Sequence, residues 1–263
     1  MAAQAVAAAT FWIDDRLLDG RLRLMATLLI SDLHLDATRP GMVAAFERLL
    51  AGPARTAQGL YILGDLFEAW IGDDEDTEIA RRVADALSAL TASGTPVGFQ
   101  HGNRDFLLGP RYAAQCGMRL LPETAVEMIE GVPTLLLHGD SLCLDDTAYL
   151  AFRERVRSAA WQAAFLAAPI AERRAFAAQA RAESARHTSG TAPVLMDVAE
   201  RAVWDAMGVN GVRRLVHGHT HRPALHGFAR GDALHERCVL PDWYESAAGL
   251  WIAADRVWFE RFD

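Results

Sequence analysis

Five short polar clusters interrupt this 263-residue chain, each directly after an apolar run. They are Asp32-Leu33-His34, Gly64-Asp65, Gly102-Asn103-Arg104-Asp105, His138-Gly139-Asp140 and His217-Gly218-His219-Thr220-His221. Seven of their side chains, Asp32, His34, Asp65, Asn103, His138, His219 and His221, form a candidate metal-ligand set with no cysteine. Mixed carboxylate, amide and imidazole donors suit hard to borderline divalent ions, Mn²⁺ ahead of Zn²⁺ or Fe²⁺. Seven donors exceed what one open catalytic ion needs. Two ions about 4 Å apart that share one carboxylate would use them all and leave room for a water and a substrate oxygen. Any one cluster alone is usually structural, and Gly-Asp by itself is ordinarily a turn. Three alternating imidazoles leaving a strand have no core-packing rationale, and the ordered set of five is specific.

The apolar runs must position these clusters. Ala26–Ile30, Leu60–Leu63, Val97–Gln100, Thr134–Leu137 and Leu215–Val216 are too short for helices and stop abruptly, which predicts buried strands. Helical spacing lies between them, over Met42–Leu50 and over Glu78–Leu90, where Ile79, Val83, Ala86, Leu87 and Leu90 share a face. Alternation of strand and helix predicts an α/β domain with a largely parallel sheet, whose strand ends converge on one crevice. The tail predicts an antiparallel meander over Val239–Trp243, Gly249–Ala253 and Val257–Phe262. From about 146 to 207 no strand is legible and apolar residues recur at three and four, the mark of a helical insertion. Met1–Leu24 is expected to be a weakly ordered extension, and Met25, which opens the strand pattern, is a candidate natural start.

A chain of 28.8 kDa, 51% hydrophobic and 23% charged, supports one sizeable core. All 26 cationic residues are arginine, so Schiff-base, P-loop and general-base lysines are excluded. A net charge of -8 argues against a nucleic acid partner held by counterion release. The charge is uneven: Ala151–Arg186 has seven Arg and three Glu, net +4, leaving -12 on the rest. A basic cap sits on an acidic body. Three cysteines without C-x-x-C spacing indicate neither a disulfide framework nor a thiolate zinc site, and a reducing compartment is expected. No apolar run approaches membrane-spanning length, and the start lacks a basic secretory n-region.

The order D-x-H, G-D, G-N-x-D, H-G-D, G-H-T-H resembles the calcineurin-like metallophosphoesterases. The longer stretches SDLHL, LYILGDLFEAWIGDD, HGNRDFLLG, LLHGDSLCLDD and HGHTHRP are similar to the UDP-2,3-diacylglucosamine pyrophosphatases of the lipid A pathway, over essentially Met25 to Asp263. The resemblance implies two packed mixed β-sheets flanked by helices, a four-layer αββα arrangement, with the insertion at about 146–207 as a lid. It implies one metal on Asp32, His34, Asp65 and His221, a second on Asp65, Asn103, His138 and His219, and Asp65 as the bridge. Catalysis is expected from Arg104, Asp65 and His219. Substrate contacts are expected from Asn103, Arg104, Asp146 and His219 and from Ser184, Thr188 and Thr191 on the lid. Relatives carry a basic residue where Thr191 aligns, and Arg181 or Arg186 are the candidates to replace it. His217 and His101 are given no catalytic role.

The implied reaction is cleavage of UDP-2,3-diacylglucosamine to UMP and 2,3-diacylglucosamine 1-phosphate, with two Mn²⁺ ions and water attacking in line at the UMP-side phosphorus. Many relatives in the wider family carry His after the Gly-Asn pair, where it helps protonate an alkoxide leaving group; this chain has Arg104. A phosphate monoester leaves without an acid because its second pKa is about 6. A permanent planar cation that steadies the phosphorane is then more useful, so Arg104 favours a diphosphate substrate. An apolar lid containing Tyr149, Phe152, Val156, Trp161, Phe165 and Phe176 suits a diacylated glycolipid, and its arginines could meet anionic headgroups. A monomer on the cytoplasmic side of the inner membrane, held peripherally, is therefore expected. Two other readings use the same residues: a phosphodiesterase or nucleotide pyrophosphatase for soluble substrates, and a metal-free scaffold of the same fold.

Overall fold

Along the inner strands, successive side chains alternate between two different apolar layers. In the computed structural model, which describes residues 4–9, 23, 25–190, 197–230 and 232–262, β2 (Ala26–Ile30) sends Ala26, Leu28 and Ile30 to one core and Leu29 to another. In β11 (Ala248–Ala253), Trp251 and Ala253 face the first core while Leu250 and Ile252 face the second. A strand apolar on both faces must lie inside a layered structure, and the period-2 alternation fixes which neighbour each side chain meets.

One sheet has the order β12-β11-β2-β3-β4-β5, with β3 at Gly59–Leu63, β4 at Val97–Gln100, β5 at Arg119–Leu120 and β12 at Val257–Arg261. The other has the order β1-β9-β10-β8-β7-β6, with β1 at Gln4–Ala9, β6 at Ala125–Ile129, β7 at Val132–Leu136, β8 at Arg214–His217, β9 at Ala224–Arg230 and β10 at Ala233–Val239. Leu29, Leu63, Leu136, Val216, Leu250 and Phe259 fill the space between the sheets. Helices α1 (Pro40–Ala51), α2 (Glu78–Ala92) and α3 (Pro110–Cys116) cover the first sheet through Val43, Phe46, Val83, Leu87 and Tyr112. The lid helices are α4 (Thr147–Arg157), α5 (Ala159–Ala167) and α6 (Ile170–Gly190). Helix α7 (Glu200–Asn210) covers the second sheet, with Val203 and Met207 against Leu135 and Leu215. The αββα order follows.

Strands β2, β3, β4 and β5 run parallel in the first sheet, as do β7, β8 and β10 in the second. The five predicted strands are β2, β3, β4, β7 and β8, each within two residues of its expected bounds.

Three differences stand out. Gln4–Ala9, inside the segment expected to be weakly ordered, is β1, paired antiparallel with β9; apart from Arg23, the rest of 1–24 lies outside the described residues. Alanine favours strand poorly, so this element owes its form to the edge that β9 presents. The tail is not a three-stranded meander. Gly249–Ala253 and Val257–Phe262 form the β11–β12 hairpin, but Val239 closes β10 in the other sheet and Leu240–Trp243 connects the sheets. Finally, the described part of the insertion is helical as expected, but α7 belongs to the αββα layers and not to the lid.

Candidate active site

The loops leaving the parallel strand ends are fastened to one another by backbone groups. Asp32 N–H donates to Gly64 O at 3.1 Å, His34 N–H to Asp65 O at 2.9 Å and Leu35 N–H to Leu66 O at 2.9 Å, continuing the β2–β3 pairing beyond the strands. Asp105, wholly buried, accepts from the N–H groups of Asp65 (3.3 Å), Leu66 (2.7 Å) and Gly102 (2.8 Å), which locks the β3 loop to the β4 loop. The approach is so close that a Cβ on Gly102 would lie 2.1 Å from Asp65 Oδ1. Between the other loops, Gly218 N–H donates to His138 O at 2.8 Å and Trp243 N–H to Asp32 O at 3.0 Å.

Backbone strain marks the same place. Six non-glycine residues among those described have positive φ; five are Asp32, His34, Asp65, His219 and His221, with φ from 49° to 67°, and the sixth, Glu130, sits in the β6–β7 turn. Each costs about 1–2 kcal/mol for a residue with a Cβ, and persists only where surrounding contacts dictate it.

These turns aim seven side chains at one point. The ligand atoms of Asp32, His34 and His221 lie within 4.8 Å of one another, as do those of Asp32, Asp65 and His138. Asp65 Oδ2 stands 3.9 Å from His34 Nε2 and 3.7 Å from His138 Nε2, between the two sides of the cluster. Its Oδ1 accepts from Arg104 N–H at 2.8 Å. Asn103 Oδ1 is 2.9 Å from His138 Nε2 and 3.0 Å from His219 Nδ1. Asp32 Oδ1 meets His221 Nε2 at 3.2 Å, and its Oδ2 accepts from Ser31 Oγ at 2.6 Å and His219 N–H at 2.9 Å.

The donor set fits divalent metals. His34 is almost fully buried, yet neither ring nitrogen makes a well-formed hydrogen bond; Nδ1 is 3.1 Å from Glu68 Oε2, a carboxylate placed to orient the ring. His138 Nδ1 is fixed by Leu63 O at 2.8 Å, leaving Nε2 to face the cluster. Burial opposes charge on Asp32, but His221, His138 and His34 hold it well below the usual carboxylate range. Burial also opposes charge on His138, but Asp65, Asp32 and Asp140 push that ring up to about 9. His219, desolvated and beside His138, is pushed down to about 4.

The lid roofs a cavity of ≈ 540 Å³ that begins at His34, Asp65, Asn103 and His219 and ends among Trp161, Phe165 and Phe176. Those three rings touch one another, with centroids 4.6, 5.4 and 5.3 Å apart. Of the expected substrate contacts, Asn103, Arg104, Asp146, Ser184 and His219 all line it, as do Arg181 and the exposed Tyr244. Asp146 also caps α4 by accepting from Tyr149 N–H at 3.0 Å. Thr188 falls in the last turns of α6, and its side chain, like all of Thr191, lies outside the described residues. His101 closes its own loop on Leu108 O at 2.7 Å, and His217 is fully buried behind the cluster.

Several residues had no assigned role in the sequence reading. Glu68 and Asp105 were visible inside quoted motifs, but their partners are 34 and 40 residues away. Tyr244, stacked on His34 with centroids 5.1 Å apart, comes from the β10 end, where a strand was expected instead of a loop. The basic cap also reads differently: Arg153 and Arg157 pair with Glu123, Arg173 with Asp74, Arg174 with Glu75 and Arg181 with Glu68. Most of the lid's positive charge therefore holds it to the acidic body.

A buried carboxylate and imidazole cluster on the strand ends of a double sheet, with an arginine beside it, defines a metal-dependent phosphoesterase. The chain belongs to the calcineurin-like phosphoesterase family, whose description it matches over residues 25–223. It is 48% identical over 233 residues to the UDP-2,3-diacylglucosamine hydrolase of Escherichia coli O81 (strain ED1a), covering 89% of this chain and 97% of that protein. It is 49% identical over 245 residues to the protein of the same name from Xanthomonas oryzae pv. oryzae (strain PXO99A), covering 90% and 99%. Among solved structures, the phosphoesterase Yfce from E. coli aligns over 89% of this chain and 91% of its own at 17% identity, with a TM-score of 0.42.

Proposed function

We propose that this chain hydrolyses the pyrophosphate bond of UDP-2,3-diacylglucosamine to UMP and 2,3-diacylglucosamine 1-phosphate, a step of lipid A biosynthesis. The observation that carries the reading is the single cavity joining the polar cluster to the apolar lid, which suits a substrate with a diphosphate at one end and acyl chains at the other. The similarity to relatives of that name supports the same substrate.

Two divalent ions, Mn²⁺ in our reading, would be held by Asp32, His34, Asp65 and His221 and by Asp65, Asn103, His138 and His219. When bound, they supply Lewis-acid polarisation of phosphoryl oxygens and a nucleophile at neutral pH. Asp65, placed between His34 and His138, would be the carboxylate that both ions share. Arg104 offers a fixed planar cation to the charge that develops on the UMP-side phosphate, and the sugar phosphate departs without a proton donor. Asn103, His219, Asp146 and Ser184 orient the head group, while Trp161, Phe165 and Phe176 receive acyl chain.

The chain would act as a monomer at the cytoplasmic face of the inner membrane, bound peripherally. Among the described residues no helix is long and apolar enough to cross a membrane. The net +4 of Ala151–Arg186 supports attraction to anionic headgroups, which salt screens, and the apolar cavity adds to it. Release from membranes by high salt without detergent is the expected behaviour; absence from membrane fractions and from anionic vesicles would contradict it.

The test of function is turnover by the Mn²⁺-loaded chain of UDP-2,3-diacylglucosamine against UDP-N-acetylglucosamine and bis(4-nitrophenyl) phosphate. A preference of at least about a hundredfold in kcat/KM for the acylated substrate is expected from burial of even a few methylenes. Equal rates would favour the soluble-substrate reading.

A further inference from the structure

Tyr149, Arg153 and Arg157 are spaced four residues apart and so form one stripe along α4. Every member of the stripe is tied to a loop that carries a proposed metal ligand, or to its neighbour. Asp140, two residues beyond His138 and 2% exposed, accepts at one oxygen, Oδ2, from both Tyr149 OH (2.5 Å) and Arg153 Nε (2.7 Å). Arg157 donates to Gly102 O, next to Asn103, at 2.8 Å and pairs with Glu123 at 2.6 Å; Arg153 also reaches Glu123 at 3.1 Å. The inner side of the helix forms cavity wall: Tyr149, Phe152, Arg153, Val156 and Arg157 all line it, and the Tyr149 ring lies 6.1 Å from that of His219.

We infer that Asp140 is a positioning residue for the acylated substrate. It lies outside the cavity lining, and it acts through Tyr149 and Arg153 by seating α4 at a fixed height over the cluster. The third residue of the His-Gly-Asp motif thus serves the lid, and the first serves the metal centre. A substrate that uses the lid needs this seat, and a small diester that reaches only the polar cluster does not. The inference deepens the proposed function and, in its substrate arm, rests on it.

The experiment compares the Mn²⁺-loaded wild type with Asp140→Asn, Tyr149→Phe and the double variant, reading kinetics, bound metal and amide hydrogen exchange. Loss of a charge-assisted buried bond should raise KM for UDP-2,3-diacylglucosamine about tenfold or more in Asp140→Asn. In Asp140→Asn, turnover of bis(4-nitrophenyl) phosphate and the Mn²⁺ content should stay within about twofold of wild type. The double variant should be little worse than the poorer single one, since both act through one interaction. Exchange should quicken about tenfold along α4 and not in α1 or α2. Equal loss on both substrates with reduced metal would make Asp140 a support for His138 alone and overturn the inference, as would unchanged exchange in α4. The exchange readout needs no substrate, so failure to cleave the acylated sugar nucleotide would count against the proposed function and leave this inference to be decided by α4.

Discussion

At the scale of single residues, the cluster is built by groups that never touch substrate. Asp105 satisfies three backbone N–H groups from two loops. Asp105→Ala would leave these donors buried and unpaired, at about 1–3 kcal/mol each. We therefore expect a melting temperature lower by roughly 10 °C or more, together with weaker Mn²⁺ binding, measured by calorimetry; a stable variant with full metal content would contradict this role. Arg104 is a different kind of residue, held at its backbone by Asp65 with its side chain in the cavity. Arg104→Lys keeps the charge and loses the planar fork, so turnover of the diphosphate should fall about a hundredfold at unchanged melting temperature. Unchanged steady-state kinetics would remove Arg104 from the account.

At the scale of elements, the lid is fastened at two places. Helix α4 is seated on the β7 and β4 loops, and α6 is pinned near its start by Arg173, a 2% exposed guanidinium. Arg173 donates to Ile71 O at 2.7 Å, Ala168 O at 3.0 Å and both oxygens of Asp74. Arg173→Ala strands two carbonyls and removes a packed stem, which should cost about 2–3 kcal/mol and quicken amide exchange in α6 ahead of the sheets. Exchange that stays uniform across the molecule would show the pin to be unnecessary. How legible these elements were in the sequence follows from their surroundings. Strands β2, β3, β4, β7 and β8 were readable because buried parallel strands are continuous apolar runs that stop at polar ligands. Strand β9, Ala-Leu-His-Gly-Phe-Ala-Arg, is half-buried as far as an exposed Arg230 and has neither a continuous run nor clean alternation, so nothing local marked it. The seven clustered side chains could be named from sequence because they are chemically conspicuous. Glu68, Asp140 and Tyr244 could not, because each matters through a partner that only the folded sheets and lid bring near.

At the scale of the molecule, charge asymmetry and metal binding are connected features of one design. The +4 segment Ala151–Arg186 lies on a remainder of -12, and paired arginines and carboxylates join the two. Within the body, buried Asp32 and Asp65 face imidazoles across an arrangement that divalent ions would complete. Binding to the native state alone stabilises it by about 2.7 kcal/mol at a hundredfold excess over Kd. Chelator-stripped protein should therefore melt roughly 5–10 °C below the Mn²⁺-loaded form, in differential scanning fluorimetry, and recover on adding Mn²⁺. No shift on either treatment would mean the cluster holds no metal. The claim that all these scales serve is hydrolysis at the UMP-side phosphorus of a lipid-linked diphosphate. Mass spectrometry of the products formed from UDP-2,3-diacylglucosamine in ¹⁸O water with Mn²⁺ tests it most directly. We predict one ¹⁸O in UMP and none in 2,3-diacylglucosamine 1-phosphate; label in the lipid phosphate, or no cleavage at all, would contradict the account.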